Sequence, residues 1–124
     1  MEGIVFDFFR GDTYERNFSI KGWNRDISKM YFTVKEKEED KLPVLQKTLE
    51  NGITLVDEEE GMKMYQLLIC CTDTDKMKVN KDYCFDIEIH SETGKETIKK
   101  TIATGILKLK PSATRSCNEV SGNE

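Results

Sequence analysis

The sequence predicts an all-β domain, an antiparallel β-sandwich of seven or eight strands. Three observations carry the expectation. Several stretches alternate apolar with polar residues, most clearly Lys81 to His90 (KDYCFDIEIH), where Tyr83, Phe85, Ile87 and Ile89 interleave with Asp82, Cys84, Asp86, Glu88 and His90. Successive side chains of a strand point to opposite faces, so such a stretch offers one face to a core and the other to solvent. Turn signals recur at roughly ten-residue intervals, the spacing of short strands in sandwiches. No long segment has the 3.6-residue period of an amphipathic helix.

Taken in order, Ile4 to Phe9 (IVFDFF) is β-rich between Gly3 and Arg10-Gly11-Asp12, which reads as a first strand and a turn. Arg10-Gly11-Asp12 also spells an integrin-type tripeptide, but a match this short has no weight without an extracellular context. Thr13 to Lys21 places Phe18 and Ile20 on one face and stops at Gly22, and Trp23 follows in a loop marked by Asn24 and Asp26. In Ser28 to Lys37 the residues Met30, Phe32 and Val34 point inward against Tyr31, Thr33 and Lys35. The charge run Lys35 to Lys41 (KEKEEDK) reads as a solvated hairpin end.

Leu42 to Leu49 has leucines at helical spacing, yet Pro43, the β-branched Val44 and Thr48, and its short length favour a strand. Asn51-Gly52 is a tight-turn dipeptide, so residues 44 to 56 read as a hairpin, with Asp57 to Gly61 (DEEEG) as the next turn. Met62 to Cys71 is a mostly apolar strand whose inner set is either Met64 and Leu68 or Tyr65, Leu67 and Ile69. Thr72-Asp73-Thr74-Asp75 suits a capped helical turn or an Asx turn rather than a calcium loop, since it lacks the EF-hand glycine and terminal glutamate. Glu92 to Lys95 is a hairpin turn built on Gly94. Glu96 to Lys110 returns as a long strand, with Ile98 and Ile102 before a break or bulge near Gly105 and Leu107 and Leu109 after it. The expected core therefore includes Phe32, Val34, Phe85, Ile87, Leu107 and Leu109. The sandwich domain spans residues 1–111, and residues 112–124, nearly devoid of apolar side chains, read as a disordered tail.

Composition limits function. The chain has 124 residues, 23 acids, 19 bases and a net charge of -4, with the two signs interspersed. With a pI near 5.2 and no basic stripe, nucleic acid is not an expected partner. The N-terminal apolar run lacks a basic leader region and is broken by Glu2 and Asp7, so it does not read as a signal peptide. No apolar stretch approaches the roughly 18 residues of a membrane span, and the expected site of production is the cytoplasm. Cys70, Cys71, Cys84 and Cys117 form no CxxC pair and read as free thiols. A zinc site of Cys70, Cys71, Cys84 and His90 is disfavoured, because adjacent residues of a strand point apart. GxSxG, Walker, GxGxxG and HExxH motifs are absent, and Asp86 and Glu88 read as an outward row rather than a glycosidase pair. No catalytic residue, cofactor, metal or small-molecule substrate is expected.

The order of punctuation carries a resemblance. Gly11-Asp12-Thr13, Phe32 to Lys35, Leu45 to Leu49 followed by Asn51-Gly52-Ile53-Thr54, Gly61, Asp73-Thr74, Tyr83 to Glu88, Gly94, Thr97-Ile98 and Gly105 succeed one another in a familiar sequence. In this the chain resembles small bacteriophage and prophage tail-region proteins similar to the N-terminal domain of baseplate upper proteins, over residues 11 to about 110. The resemblance implies an immunoglobulin-like sandwich and a structural virion component without enzymatic activity, partnered by itself or by other phage tail proteins. The strand Ile4 to Phe9 is apolar on both faces apart from Asp7, so Val5, Phe6, Phe8 and Phe9 are the candidate interface residues. The alternative is an immunoglobulin-like ligand- or glycan-binding module, for which Trp23, Tyr14 and Tyr31 are the candidate aromatic platform.

Overall fold

The computed structural model describes residues 3–113. Eight strands form: β1 (Ile4–Phe9), β2 (Tyr14–Lys21), β3 (Lys29–Lys35), β4 (Leu45–Leu49), β5 (Gly52–Glu59), β6 (Met62–Ile69), β7 (Asp82–Thr93) and β8 (Glu96–Lys110). Of the expected tail, all but Ser112 and Ala113 lie outside the described residues.

The all-β class holds, and hydrogen bonds link the strands into one sheet in the order β1-β8-β7-β3-β4-β5-β6-β2. The sheet curls until its two end strands face each other. Tyr14 of β2 stacks on Phe8 of β1 at 4.3 Å between ring centroids, and the Arg16 guanidinium lies 5.1 Å over the Phe6 ring. The seam is thus closed by rings and one cation, not by a ladder, and the outline is nearly that of a barrel. Two neighbours in the sheet depart from the antiparallel expectation, since β1 runs parallel to β8 and β4 parallel to β5.

Alternation sets the core. Met30, Phe32 and Val34 of β3, Tyr83, Phe85, Ile87 and Ile89 of β7, and Leu107 and Leu109 of β8 are all buried, so the six residues expected at the centre are there. In β6 the inner set is Tyr65, Leu67 and Ile69, while Met64 and Leu68 lie half-exposed on the other face.

Three expectations need correction. Residues 44 to 56 are not a hairpin. A type I′ turn needs positive φ at both central residues, but here Glu50 (φ 66°) and Gly52 (φ 106°) are left-handed and Asn51 is not. The chain instead turns a corner, and β4 leaves β3 to lie parallel to β5 over Thr48–Gly52 and Leu49–Ile53. Next, Asp57 to Glu59 are not turn residues, because β5 continues through them against β6 past a bulge near Val56 and the turn is confined to Glu60 and Gly61. Lastly, the irregularity in β8 falls at Ile102, between the pairs Ile87–Ala103 and Glu88–Thr101, not at Gly105.

Gly105 has another role. It pairs with Phe85 on one side and Ile4 on the other. A Cβ there would fall on the Ile4 carbonyl oxygen and within 2.8 Å of the Phe85 ring. Glycine is what lets three backbones meet in this row.

One end of the curled sheet is covered by the segment that follows β6. The expected helical turn is a 3-10 turn over Cys71–Thr74, with the Cys70 amide donating to Asp73 Oδ2 at 2.6 Å. Thr74 Oγ1 accepts from the Gly11 amide at 2.9 Å, and Arg10 donates to the Met77 carbonyl at 3.2 Å. The Arg-Gly-Asp stretch is thus engaged in closing its own domain. Lys47 completes the plug. It pairs in register with the buried Phe32 and so faces inward, where its ammonium meets Asp73 at 2.7 Å while its stem occupies the space a Cβ on Gly52 would need.

Candidate functional site

The fold divides the apolar residues of β1. Phe6 and Phe8 point inward and are 3% and 7% exposed, so they belong to this chain's own core and are withdrawn as interface candidates. Val5 and Phe9 point outward and are 57% and 43% exposed. Val5 pairs in register with Ile106 of β8, itself exposed, and Lys110 covers part of the Phe9 ring at 4.5 Å from its centroid. β1 pairs with β8 along one edge and, among the described residues, has no ladder along the other. Val5, Ile106 and Phe9 are thus exposed apolar positions on either side of the Asp7–Lys108 pair, on a strand whose other edge carries no ladder and faces β2 across the seam. The sequence marked the strand but not the split between its faces, nor that β8 would supply Ile106.

The same row continues across the outer face, from Ile106 to Cys84 on β7 and Lys35 on β3. The next row is Thr104, Asp86, Thr33 and Gln46. Between these rows and the loop that joins β3 to β4 lie two adjoining hollows of about 340 and 400 Å³, which share Thr33, Lys35 and Asp86. The first reaches Glu38 and Ile106, and the second reaches Lys41, Glu88, His90 and Tyr31. Together they form one groove over β7 and β3.

Several groove side chains are fixed by neighbours. His90 Nε2 lies 2.8 Å from Glu88 Oε1, and the Tyr31 ring leans on the imidazole at 5.1 Å. Gln46 Nε2 donates to Thr33 Oγ1 at 2.9 Å. The Cys84 thiol donates to the Lys35 carbonyl at 3.4 Å, and burial is the main cause that pushes its pKa up, with Glu38 adding to it. A thiol held in its protonated form is a weak nucleophile. Asp86 differs from these. No described residue donates a hydrogen bond or ion pair to its carboxyl, although it lies at the junction of both hollows.

Burial pushes the Asp86 carboxyl above its ordinary range, the charge of Glu88 adds to this, and Lys35 pulls the other way. A proton bound more tightly in the folded state makes stability depend on pH. The folded protein holds the Asp86 proton more tightly than the unfolded chain does, so this group costs stability once the pH rises through the ordinary carboxylate range. Below that range the cost vanishes. Asp86→Asn should therefore be more stable than the parent at pH 7, and the two denaturation curves should converge as the pH falls toward about 3.9, the unperturbed value for aspartate. Equal midpoints at pH 7 would show that Asp86 is not held out of solvent.

The proposed aromatic platform is not assembled. Tyr14 packs on Phe6 and Phe8 at the seam. Trp23 donates its Nε1 proton to Ser91 Oγ at 2.9 Å and carries Arg25 over its ring. Tyr31 alone of the three borders the groove. Among the cysteines, Cys70 is exposed and Cys71 and Cys84 are half-buried, while Cys117 lies outside the described residues. Among the described residues, no three His, Cys, Asp or Glu side chains gather closely enough to hold a metal ion. No helix of the described residues is long and apolar enough to cross a membrane.

Comparison of the chain with protein-family models and with curated protein sequences finds no match.

Proposed function

We propose that this chain is a structural module without enzymatic activity, acting through protein–protein contacts in a bacteriophage or prophage tail or baseplate. The observation that carries the contact function is the exposure of Val5, Ile106 and Phe9 on the outer face of β1 and β8, next to the edge of β1 that carries no ladder among the described residues. Contiguous exposed apolar residues mark interaction surfaces, and an edge whose N–H and C=O groups lack a ladder invites pairing unless charge, proline or a bulge blunts it. Asp7 and Lys108, paired in register between Val5–Ile106 and Phe9–Lys110, are with Lys110 the charges at this edge. The placement in a virion, produced in the bacterial cytoplasm, rests on the order of turns and strand faces described above.

The immunoglobulin-like sandwich belongs to the same proposal, with β1, β8, β7, β3 and β4 as one half and β5, β6 and β2 as the other. What supports it is the thin join at the corner, where β4 meets β5 through two register pairs. The partners are further copies of the chain or neighbouring tail proteins. Head-to-tail contacts between copies would close a ring, and self-matching ones a twofold dimer.

Light scattering on the full chain at high micromolar concentration tests self-association. Association is expected to grow with concentration and to be lost in a Val5→Glu, Ile106→Glu double variant, whose changes lie on the solvent side of β1 and β8. A parent protein that stays monomeric rules out self-association through these residues and leaves a different tail protein as the partner. A gene neighbourhood without tail or baseplate genes would overturn the virion assignment.

A further inference from the structure

We propose that the groove over β7 and β3 is a binding site for a neutral saccharide, with Asp86 as its central hydrogen-bond acceptor. The larger hollow, about 400 Å³, is bordered by two carboxylates, Asp86 and Glu88, and two ammonium groups, Lys35 and Lys41. A phosphate or sulfate entering it would meet the carboxylates, and a lysine or arginine side chain would meet the ammoniums. Each is opposed by like charge. A neutral ligand that both donates and accepts hydrogen bonds meets no such opposition.

The other groups narrow the class further. Lys35 and Lys41 are donors, Asp86 and Glu88 are acceptors, and the Thr33 hydroxyl and the Gln46 amide act as either. Sugar hydroxyls also donate and accept, often in adjacent pairs, and a carboxylate accepts two such donors at once. Pyranose rings have an apolar C–H face as well. Tyr31 stands at one side of the hollow, buttressed by His90, which Glu88 holds in place at 2.8 Å. That supplies an aromatic wall on a rigid strand. The hollow's volume lies within the range of about 300–1,000 Å³ usual for small-ligand pockets. Finally, none of the described residues donates to the Asp86 carboxyl, and a sugar hydroxyl would provide a donor.

The proposal is independent of the contact through Val5, Ile106 and Phe9, and its test keeps the two apart. Backbone amide shifts of the isotope-labelled full chain would be followed by NMR against D-glucose, D-galactose, N-acetyl-D-glucosamine and L-rhamnose, with arginine amide and inorganic phosphate as charged probes. At least one sugar is expected to give saturable shifts at Thr33, Gln46, Asp86 and Glu88, with a Kd on the order of 1 mM, typical of weak single-site binding. Asp86→Asn should keep the fold and weaken binding on the order of tenfold or more, the usual scale for losing a hydrogen bond to a charged group. The Val5→Glu, Ile106→Glu variant should bind the sugar as the parent does. No saturable shift with any sugar, undiminished binding by Asp86→Asn, or tighter binding of arginine amide or phosphate than of every sugar would each overturn the proposal.

Discussion

Phe85→Ala should lower the unfolding free energy by about 3 to 5 kcal/mol, the range for deleting a buried phenyl ring whose site cannot collapse. Collapse is opposed here on every side. The Phe85 ring lies 4.6 Å from that of Phe6 and 5.3 Å from that of Phe32, centroid to centroid, so it joins β7 to both β1 and β3. Gly105 lies directly opposite with no side chain to shift into the space. Domains of this size are stable by only about 5–15 kcal/mol, so the loss is a large share of the total. It should appear as a drop in the thermal midpoint on the order of 10 °C or more, measured by circular dichroism. An unchanged midpoint would mean that β7 presents its other face to the core.

Much of the fold was legible because the signal is local. A strand with one dry face must alternate, and β3 and β7 announce their inner residues without reference to the rest of the chain. What was not legible depends on partners distant in sequence. Nothing within Ile4 to Phe9 says that it will run parallel to β8, since that ladder joins residues about a hundred positions apart, Ile4 to Gly105. The Asn51-Gly52 dipeptide is a strong hairpin signal, yet Glu50 took the left-handed conformation and the turn became a corner. The inward course of Lys47 was hidden for a similar reason. A lysine in a strand reads as a solvent position, and its countercharge, Asp73, arrives only with the 3-10 turn.

The site was legible in part. Of the four apolar residues of β1, Val5 and Phe9 are exposed and Phe6 and Phe8 are buried, a split the sequence does not show because an apolar strand without clear alternation does not say which face is dry. The groove was invisible as a unit. Tyr31, Thr33, Asp86 and Glu88 were each read as outward residues, but their juxtaposition follows from the β3–β7 register, which sequence patterning does not encode. Asp86 and Glu88, read as an outward row facing solvent or an interface, differ in their surroundings: Asp86 lines both hollows, and His90 engages Glu88.

A chain that begins at Gly11 should fail to fold. β1 supplies two core rings and a ladder to β8. Phe6 and Phe8 are both buried, and Phe6 contacts the rings of Phe85, Phe32 and Tyr14 at centroid distances of 4.6, 6.0 and 5.4 Å. Each phenyl is worth about 3–5 kcal/mol if deleted singly, and even if the two overlap, their sum rivals the whole stability of the domain. Deletion also strips the ladder from β8 between Gly105 and Lys110, so that Leu107 and Leu109, both buried in the intact chain, would line an exposed edge. No neighbour is placed to replace the strand, because β2 meets β1 through rings rather than backbone hydrogen bonds. The truncated chain should therefore show poor amide dispersion and no cooperative thermal transition. A synthetic peptide covering residues 1–10, added in excess, should restore both by taking the vacant place beside β8, since a ligand that binds the folded form alone stabilises it by mass action. A truncated chain that melts cooperatively near the parent's midpoint would show instead that the other seven strands form a complete core and that β1 is an appendage to it.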